Sequence, residues 1–316
     1  MVEAHLAGLF PRSEELVQVT RRFARGKISQ SELESVFRHD YEALVRLQTE
    51  NALDYFVDGQ LNWQDLLRPF STIFTGIELG GLARWFDNNI FYRKPTITGK
   101  ISFSGGDLGQ YFKGSFLPAS APKKVILPGP FTFAALSQNV AYGSLADLVD
   151  DLAHSTKDLV RELRESGYEY FQFDEPYLSA SGTTRSQLQI ARHAFEVCGK
   201  GLGVKTVVHT YFGDAAPVID ALLDYPVDCI GMDFYATSLD SLREHSFGKE
   251  LACGCIDGRN SLLESPADLT EFVRKAREDL EPRGLSVCPN SDLQFLPYPI
   301  AEKKVRLLSE LSKMEA

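Results

Sequence analysis

With 316 residues, 44% hydrophobic and 24% charged, the chain has a globular composition and is long enough for one large α/β barrel or two average domains. Its 33 basic and 43 acidic side chains give a formal net charge of −10, with no Lys/Arg-rich block. This argues against disorder and against a general nucleic-acid grip, which needs a basic stripe to displace counterions, so a small-molecule partner is expected.

No apolar run approaches the roughly 18 to 20 residues needed to cross a bilayer, and residues 1–9 lack the basic start and long apolar core of a secretory signal. A cytoplasmic location without membrane contact is expected. Five cysteines, at 198, 229, 253, 255 and 288, are odd in number and form no CxxC pair, which fits reduced thiols.

In chain order, a first strand is predicted over residues 5–10. A helical region follows, in which Ser29 and Glu32 make a capping-box pattern ahead of Leu33, Val36, Phe37, Leu44 and Leu47. A second strand is predicted over 53–57, and residues 95–103 with their flanks form an inserted extended segment or hairpin. From residue 120 onward, apolar runs at 124–128, 168–173, 205–209, 228–233, 251–256 and 285–288 alternate with amphipathic stretches at 145–164, 187–198, 216–223, 267–280 and 301–313. The fourth stretch carries Leu269, Phe272, Val273 and Ala276 at helical spacing behind Ser265-Pro266, a start signal. Eight strands with helices between them close most naturally into a (β/α)8 TIM barrel with an N-terminal helical region and an inserted hairpin, a single domain over 1–316. The competing open doubly wound sheet is weakened by the lack of GxGxxG after the first strand.

In such a barrel the functional groups belong at the carboxyl ends of the strands. Those ends read Asp58-Gly-Gln60, Pro128-Gly-Pro130, Asp174-Glu-Pro176, His209-Thr-Tyr211, Asp233, Asp257-Gly-Arg259-Asn260 and Asn290-Ser-Asp292. Caps and turns favour Asp, Asn, Gly and Pro at any one of these places, but seven polar ends together point to a site. Residues two apart share a face, so an inward His209 brings Tyr211 inward, and the same parity turns Asp174, Asp233, Asp257 and Asn290 into one desolvated mouth.

At these strand ends the sequence resembles the cobalamin-independent methionine synthase family, whose relatives include uroporphyrinogen decarboxylase and zinc-dependent thiol methyltransferases. Gly8-Leu-Phe-Pro11 resembles its opening G-S-F-P, Phe91-Tyr-Arg-Lys-Pro95 its R-x-P segment, and Leu127-Pro-Gly-Pro-Phe-Thr132 its T-G-P-x-T turn. Gln172-Phe-Asp-Glu-Pro176 is similar to its Q-I-D-E-P, the most specific of the set; Gly254-Cys-Ile-Asp-Gly-Arg-Asn260 is similar to its G-x-I-D-G-R-N stretch, and Pro289-Asn-Ser-Asp-Leu293 to its last strand end. Almost the whole chain takes part. The pattern is most similar to the amino-terminal half of the long two-domain enzymes and to its free-standing archaeal-type homologues, which Asp87-Asn-Asn-Ile-Phe-Tyr-Arg93 also resembles.

What the resemblance implies is methyl transfer in methionine biosynthesis, from a methyl-folate or other pterin-type donor to homocysteine, whose thiol the family activates on zinc. The ligand pattern matches at His209, but its first Cys is Tyr211 here, its Glu is Asp233, and its closing Cys is Ser291. Tyr and Ser are poor zinc ligands, so an ordinary family centre is not expected. The alternative from strand parity is a relocated zinc set of His209, Cys255 and Cys288. The family's Ser after the opening Gly is Leu9 and its G-E is Gly59-Gln60, which leaves Asp174 as the matching amine partner.

His209, Asp174 and Asp233 are the expected catalytic groups, supplying a proton path to a donor nitrogen that leaves poorly unless protonated. Gln60, Glu175, Tyr211, Asp257, Asn260 and Ser291 are expected around the substrate, and Arg93, Lys94 and Arg259 at an anionic tail. The rival expectation is a non-catalytic donor-binding or scaffolding subunit that works with a separate zinc-bearing methionine synthase subunit. A porphyrinogen-type decarboxylase ranks last, because that chemistry leans on cationic side chains and this mouth is rich in carboxylates.

Overall fold

The computed structural model describes residues 2–313. In chain order its strands are β1 (Glu3–Ala4), β2 (Ile77–Arg84), β3 (Phe91–Ile97), β4 (Lys123–Pro128), β5 (Gln138–Asn139), β6 (Tyr168–Asp174), β7 (Lys205–Thr210), β8 (Cys229–Asp233), β9 (Glu250–Ile256) and β10 (Leu285–Pro289). The main helices are α1 (Glu14–Ala24), α2 (Gln30–Glu50), α3 (Phe70–Ile73), α4 (Pro130–Leu136), α5 (Leu145–Glu165), α6 (Arg185–Cys198), α7 (Ile219–Leu223), α8 (Pro266–Leu280) and α9 (Tyr298–Ser312). Among the described residues no helix is long and apolar enough to cross a membrane.

Seven strands form one parallel sheet in the order β1-β10-β9-β8-β7-β6-β4. Residues 54–56 complete the ring. Asp54 N donates to Ala4 O at 2.9 Å, Phe56 N to Pro122 O at 2.8 Å and Lys124 N to Phe56 O at 2.8 Å, with parallel bridges at His5–Tyr55 and Phe56–Lys123. The arrangement is therefore the (β/α)8 barrel that eight apolar runs predict. Both faces of its strands are covered, helices outside and side chains within, which explains why the runs lack polar alternation. Ala7, Tyr170, Val207, Cys229, Ala252 and Cys288 pack together inside, separate from the larger core between strands and helices.

Local start signals act as their chemistry requires. Ser265 caps α8 with Pro266 at its first position. At α6 the capping box is complete: Gln187 N donates to Thr184 Oγ1 at 3.3 Å, and Thr184 N to Gln187 Oε1 at 2.8 Å. Thr184→Ala is expected to lower stability by about 1 kcal/mol in urea denaturation. At α2 only half of the predicted box forms, because Ser29 Oγ accepts from Glu32 N while the Glu32 carboxylate lies 3.8 Å from Arg22.

Three expectations are corrected. The inserted hairpin pairs β2 with β3, Ile77 opposite Ile97 and Arg84 opposite Phe91, so the predicted 95–103 segment covers only the tail of the second strand. Gly80 and Gly81 hid the first strand by breaking its alternation; they sit at a register shift where a Cβ on Gly80 would lie 2.7 Å from Lys94 O. Residues 7–10 leave the ladder of the first strand, because Leu9 N binds Asp292 Oδ1 and Phe10 N binds Gly59 O. The 216–223 stretch is a 3-10 turn, Ala216–Val218, followed by the short α7.

Candidate active site at the barrel mouth

β6 and β7 place Asp174 and His209 opposite each other in register, and β8 brings Asp233 to the same end. All three side chains are buried. Asp174 receives Gln172 Nε2 at 2.7 Å on Oδ1 and the Tyr211 hydroxyl at 3.1 Å on Oδ2. Its pKa is raised well above the usual carboxylate range, first by burial and then by the neighbouring charge of Asp292. Asp292 is itself pushed up to about 6 by burial, although Leu9 N donates to Oδ1 at 2.8 Å and Gln294 Nε2 to Oδ2 at 3.0 Å. The carboxylate of Asp292 also fills the space over Gly8, where a Cβ would meet Oδ1 at 1.8 Å. Burial is the first cause at both carboxyls, and the charge of Asp292 adds to it at Asp174, so Asp174 keeps its proton well above the usual carboxylate range.

His209 is kept neutral: burial first, then the nearby Lys124 ammonium, lower its pKa to about 3. Its Nε2 lies 3.1 Å from Asn290 O, and since a carbonyl only accepts, Nε2 carries the hydrogen, leaving Nδ1 as an acceptor without a protein partner. Lys124, fully buried below the mouth, donates to His5 Nδ1 and Leu6 O, both at 2.8 Å, and burial lowers its pKa to about 8. Asp233 accepts from Phe212 N at 3.2 Å, Tyr235 N at 2.9 Å and Asn290 Nδ2 at 3.0 Å, with Arg259 4.0 Å away; burial raises its pKa despite these donors. Arg259 lies over the Phe212 ring at 5.0 Å on the rim.

Of the remaining predicted positions, Tyr211, Asp257 and Ser291 join this network. Asp257 Oδ1 receives Arg259 N at 2.9 Å and Asn290 Nδ2 at 3.4 Å, and Ser291 Oγ reaches Asn290 Oδ1 at 3.3 Å. Gln60 is buried with Nε2 on Ile126 O at 3.0 Å, and lines a cavity of about 900 Å³ beside the mouth together with Leu9, Arg12, Trp63, Gln294 and Tyr298.

Others lie elsewhere. Glu175 points away from the mouth and caps α4, receiving Phe131 N at 3.0 Å and Thr132 N at 2.7 Å; burial pushes its pKa up to about 7. Asn260 is exposed and turns its own loop through Leu262 N. Arg93 binds Gly80 O within the hairpin, and among the described residues no hydrogen bond or ion pair joins Arg93 or Lys94 to Asp174, His209 or Asp233. The relocated cysteine set does not assemble. Gly254 faces inward, its virtual Cβ 2.7 Å from Asn290 Cα, so Cys253 and Cys255 face outward into the helix-side core while Cys288 packs inside.

Sequence reasoning brought Asn290 to the mouth without giving it a role, and did not assign Asp292, Gln172 or Lys124 to the site. Parity with Asp174 and the polar end Asn290-Ser-Asp292 carried the signal for the first three; a lysine opening an apolar run gave none for Lys124.

The family model described as the cobalamin-independent synthase, N-terminal domain, matches residues 79–281. The chain belongs to this family. Similar proteins named methionine synthase include one from Sulfolobus acidocaldarius, 28% identical over 94% of this chain and 87% of that one, and one from Saccharolobus islandicus, 28% identical over 97% and 92%. A B12-independent methionine synthase from Shewanella sp. W3-18-1, solved in complex with selenomethionine, superposes with a TM-score of 0.78 at 19% identity over 98% of this chain and 96% of that one. A methyltransferase from Methanosarcina mazei gives 0.61 at 11% identity over 96% and 93%. At these identities the solved structures speak for the fold.

The zinc that the cobalamin-independent family implies does not fit these residues. His209 Nε2 is turned to a carbonyl, the Tyr211 hydroxyl is given to Asp174, Asp233 is surrounded by three N–H donors, and Ser291 Oγ is bonded to Asn290. Among the described residues no group of three or more His, Cys, Asp or Glu could hold a metal ion.

Proposed function

We propose that this chain is a methyl-transfer protein of methionine biosynthesis, moving a methyl group from a methyl-folate or related pterin-type donor to homocysteine as a subunit without the zinc thiolate ligands. The observation that carries the reading is the buried Asp174–Asp292 carboxyl pair at the mouth of a barrel of this family. In the transfer a C–N bond of the donor breaks and a C–S bond forms; the thiol gives up a proton and the leaving nitrogen takes one. Asp174, held by Gln172 and Tyr211, is the group able to keep a proton at neutral pH for that nitrogen. The 900 Å³ cavity lined by Gln60 is large enough for a ligand of this class. Gln60 Oε1 has no protein partner and offers an acceptor, and Arg259 on the rim is the cation available to an anionic tail.

A second reading, in which the chain binds the donor and a separate zinc-bearing subunit activates the thiol, is favoured by the hydrogen bonds that engage His209 Nε2, Tyr211, Asp233 and Ser291, the four ligand-matching positions. His209, with its pKa near 3, is too weak a base to take over thiol activation. Methionine formation measured with and without a zinc-bearing subunit tests both. In the complete system Asp174→Asn is expected to lose about a hundredfold in rate, and an unchanged rate would remove Asp174 from the proton path. Full activity of the chain alone would sink the partner reading; no methionine in any combination would sink the methyl-transfer reading.

A further inference from the structure

Three of the four positions that match the family's ligands bond to one residue, Asn290. It is fully buried. Its carbonyl faces His209 Nε2 at 3.1 Å; its Nδ2 donates to Asp233 Oδ1 at 3.0 Å and Asp257 Oδ1 at 3.4 Å; its Oδ1 accepts from Gly258 N at 2.8 Å and Ser291 Oγ at 3.3 Å. Its own N–H closes on Ile256 O at 2.8 Å. The ends of β7, β8, β9 and β10 thus meet at one side chain and its backbone.

We infer that Asn290 is the positioning residue of this mouth and stands in for a metal ion: it ties together four strand ends and in doing so excludes zinc. A carboxamide has the composition for this task, with two donors for two carboxylates and an acceptor for an N–H and a hydroxyl. The neighbourhood is cut to fit it. A Cβ on Gly254 would lie 2.7 Å from Asn290 Cα, and one on Gly231 would lie 2.9 Å from the His209 ring. A metal ion needs lone pairs converging on one point, whereas here His209 presents a hydrogen at Nε2, its Nδ1 lone pair lies on the Gly231 side, where a Cβ would be 3.1 Å away, and Asp233 is met by N–H groups on both oxygens.

Asn290→Asp keeps the shape, removes the donor, and sets a third carboxylate beside Asp233 and Asp257, so it converts the lock into a cation-binding cluster. The full-length chain is purified, equilibrated with excess zinc, desalted and analysed for metal, and cobalt binding is read from its visible absorption. The wild type is expected to keep no stoichiometric zinc, with its His209 ring nitrogens in the Nε2-protonated tautomer by NMR and unmoved by added zinc. Asn290→Asp is expected to gain about tenfold or more in cobalt affinity. Stoichiometric zinc on the wild type that is lost in His209→Ala overturns the inference, and so does a folded Asn290→Asp variant with no gain in cobalt binding. If that variant does not fold by circular dichroism, the wild-type metal content and His209 tautomer decide alone.

Discussion

Lys304→Ala is expected to lower the unfolding free energy by about 3–5 kcal/mol in urea denaturation. Lys304 sits on α9 and is fully buried, with Nζ 2.6 Å from Glu264 Oε1 and 2.9 Å from Asp257 O. The same Glu264 oxygen accepts Asp257 N at 2.8 Å and the Tyr235 hydroxyl at 3.3 Å. Removing the ammonium therefore leaves a carboxylate whose side chain is only 9% exposed without its counter-charge, and unties the loop that presents Asp257 and Arg259 to the mouth. The cost lies in the orphaned charge rather than in the pair itself, so Lys304→Met combined with Glu264→Leu is expected to recover most of the loss. A Lys304→Ala variant as stable as wild type would show that water reaches Glu264.

Raising the pH from about 4 to 8 is expected to lower stability through the Asp174–Asp292 pair, and Asp292→Asn to flatten that slope. An Asp ordinarily titrates at 3.8, and Asp292 does so at about 6 in the folded chain. Below 3.8 both states are protonated and the favourable difference is whole; as pH rises the unfolded chain releases its proton first, and the folded advantage is gone once pH passes 6. At roughly 1.4 kcal/mol per unit the change amounts to about 3 kcal/mol. Glu175, near 7, acts in the same direction, whereas His209 acts oppositely: its folded value near 3 lies below the ordinary 6.5, so its contribution is gained as pH rises toward 6.5. The difference between wild type and Asp292→Asn at each pH, from urea denaturation, isolates the pair. Parallel curves would place the retained proton elsewhere.

Both expected effects concern how a mouth this acidic stays folded. Lys304 neutralises its rim from outside the barrel, Lys124 lies beneath it, and burial raises the pKa of Asp174 and Asp292 so that their charge is reduced. The surface pairs do less: Arg274 with Glu271 and Glu278 are half-exposed and solvent-screened, so their removal is not expected to register beside either variant.

The apolar runs and the helix stretches between them determined the barrel, because period and length are local properties and only one closed arrangement buries eight such runs on both faces. Strand parity likewise determined that Asp174, His209, Tyr211 and Asp233 share a mouth. Local spacing could not decide which atoms a polar side chain meets. Glu175, one residue past Asp174, turns to the opposite face, but only the fold shows that it meets and caps α4 there; Cys255 and Cys288 lie on opposite faces of neighbouring strands; Gly80 and Gly81 concealed β2. Asn290 sits 81 residues from His209, 57 from Asp233 and 33 from Asp257. Each of those bonds spans a complete β/α crossover or more, and it is the parallel pairing and curling of β7 to β10 that bring their ends within 3.4 Å. The ring, and the acids and histidine around it, were legible from residue order; that they are joined by an amide was not, because hydrogen bonds act over a few ångströms between atoms whose separation along the chain carries no record of that nearness.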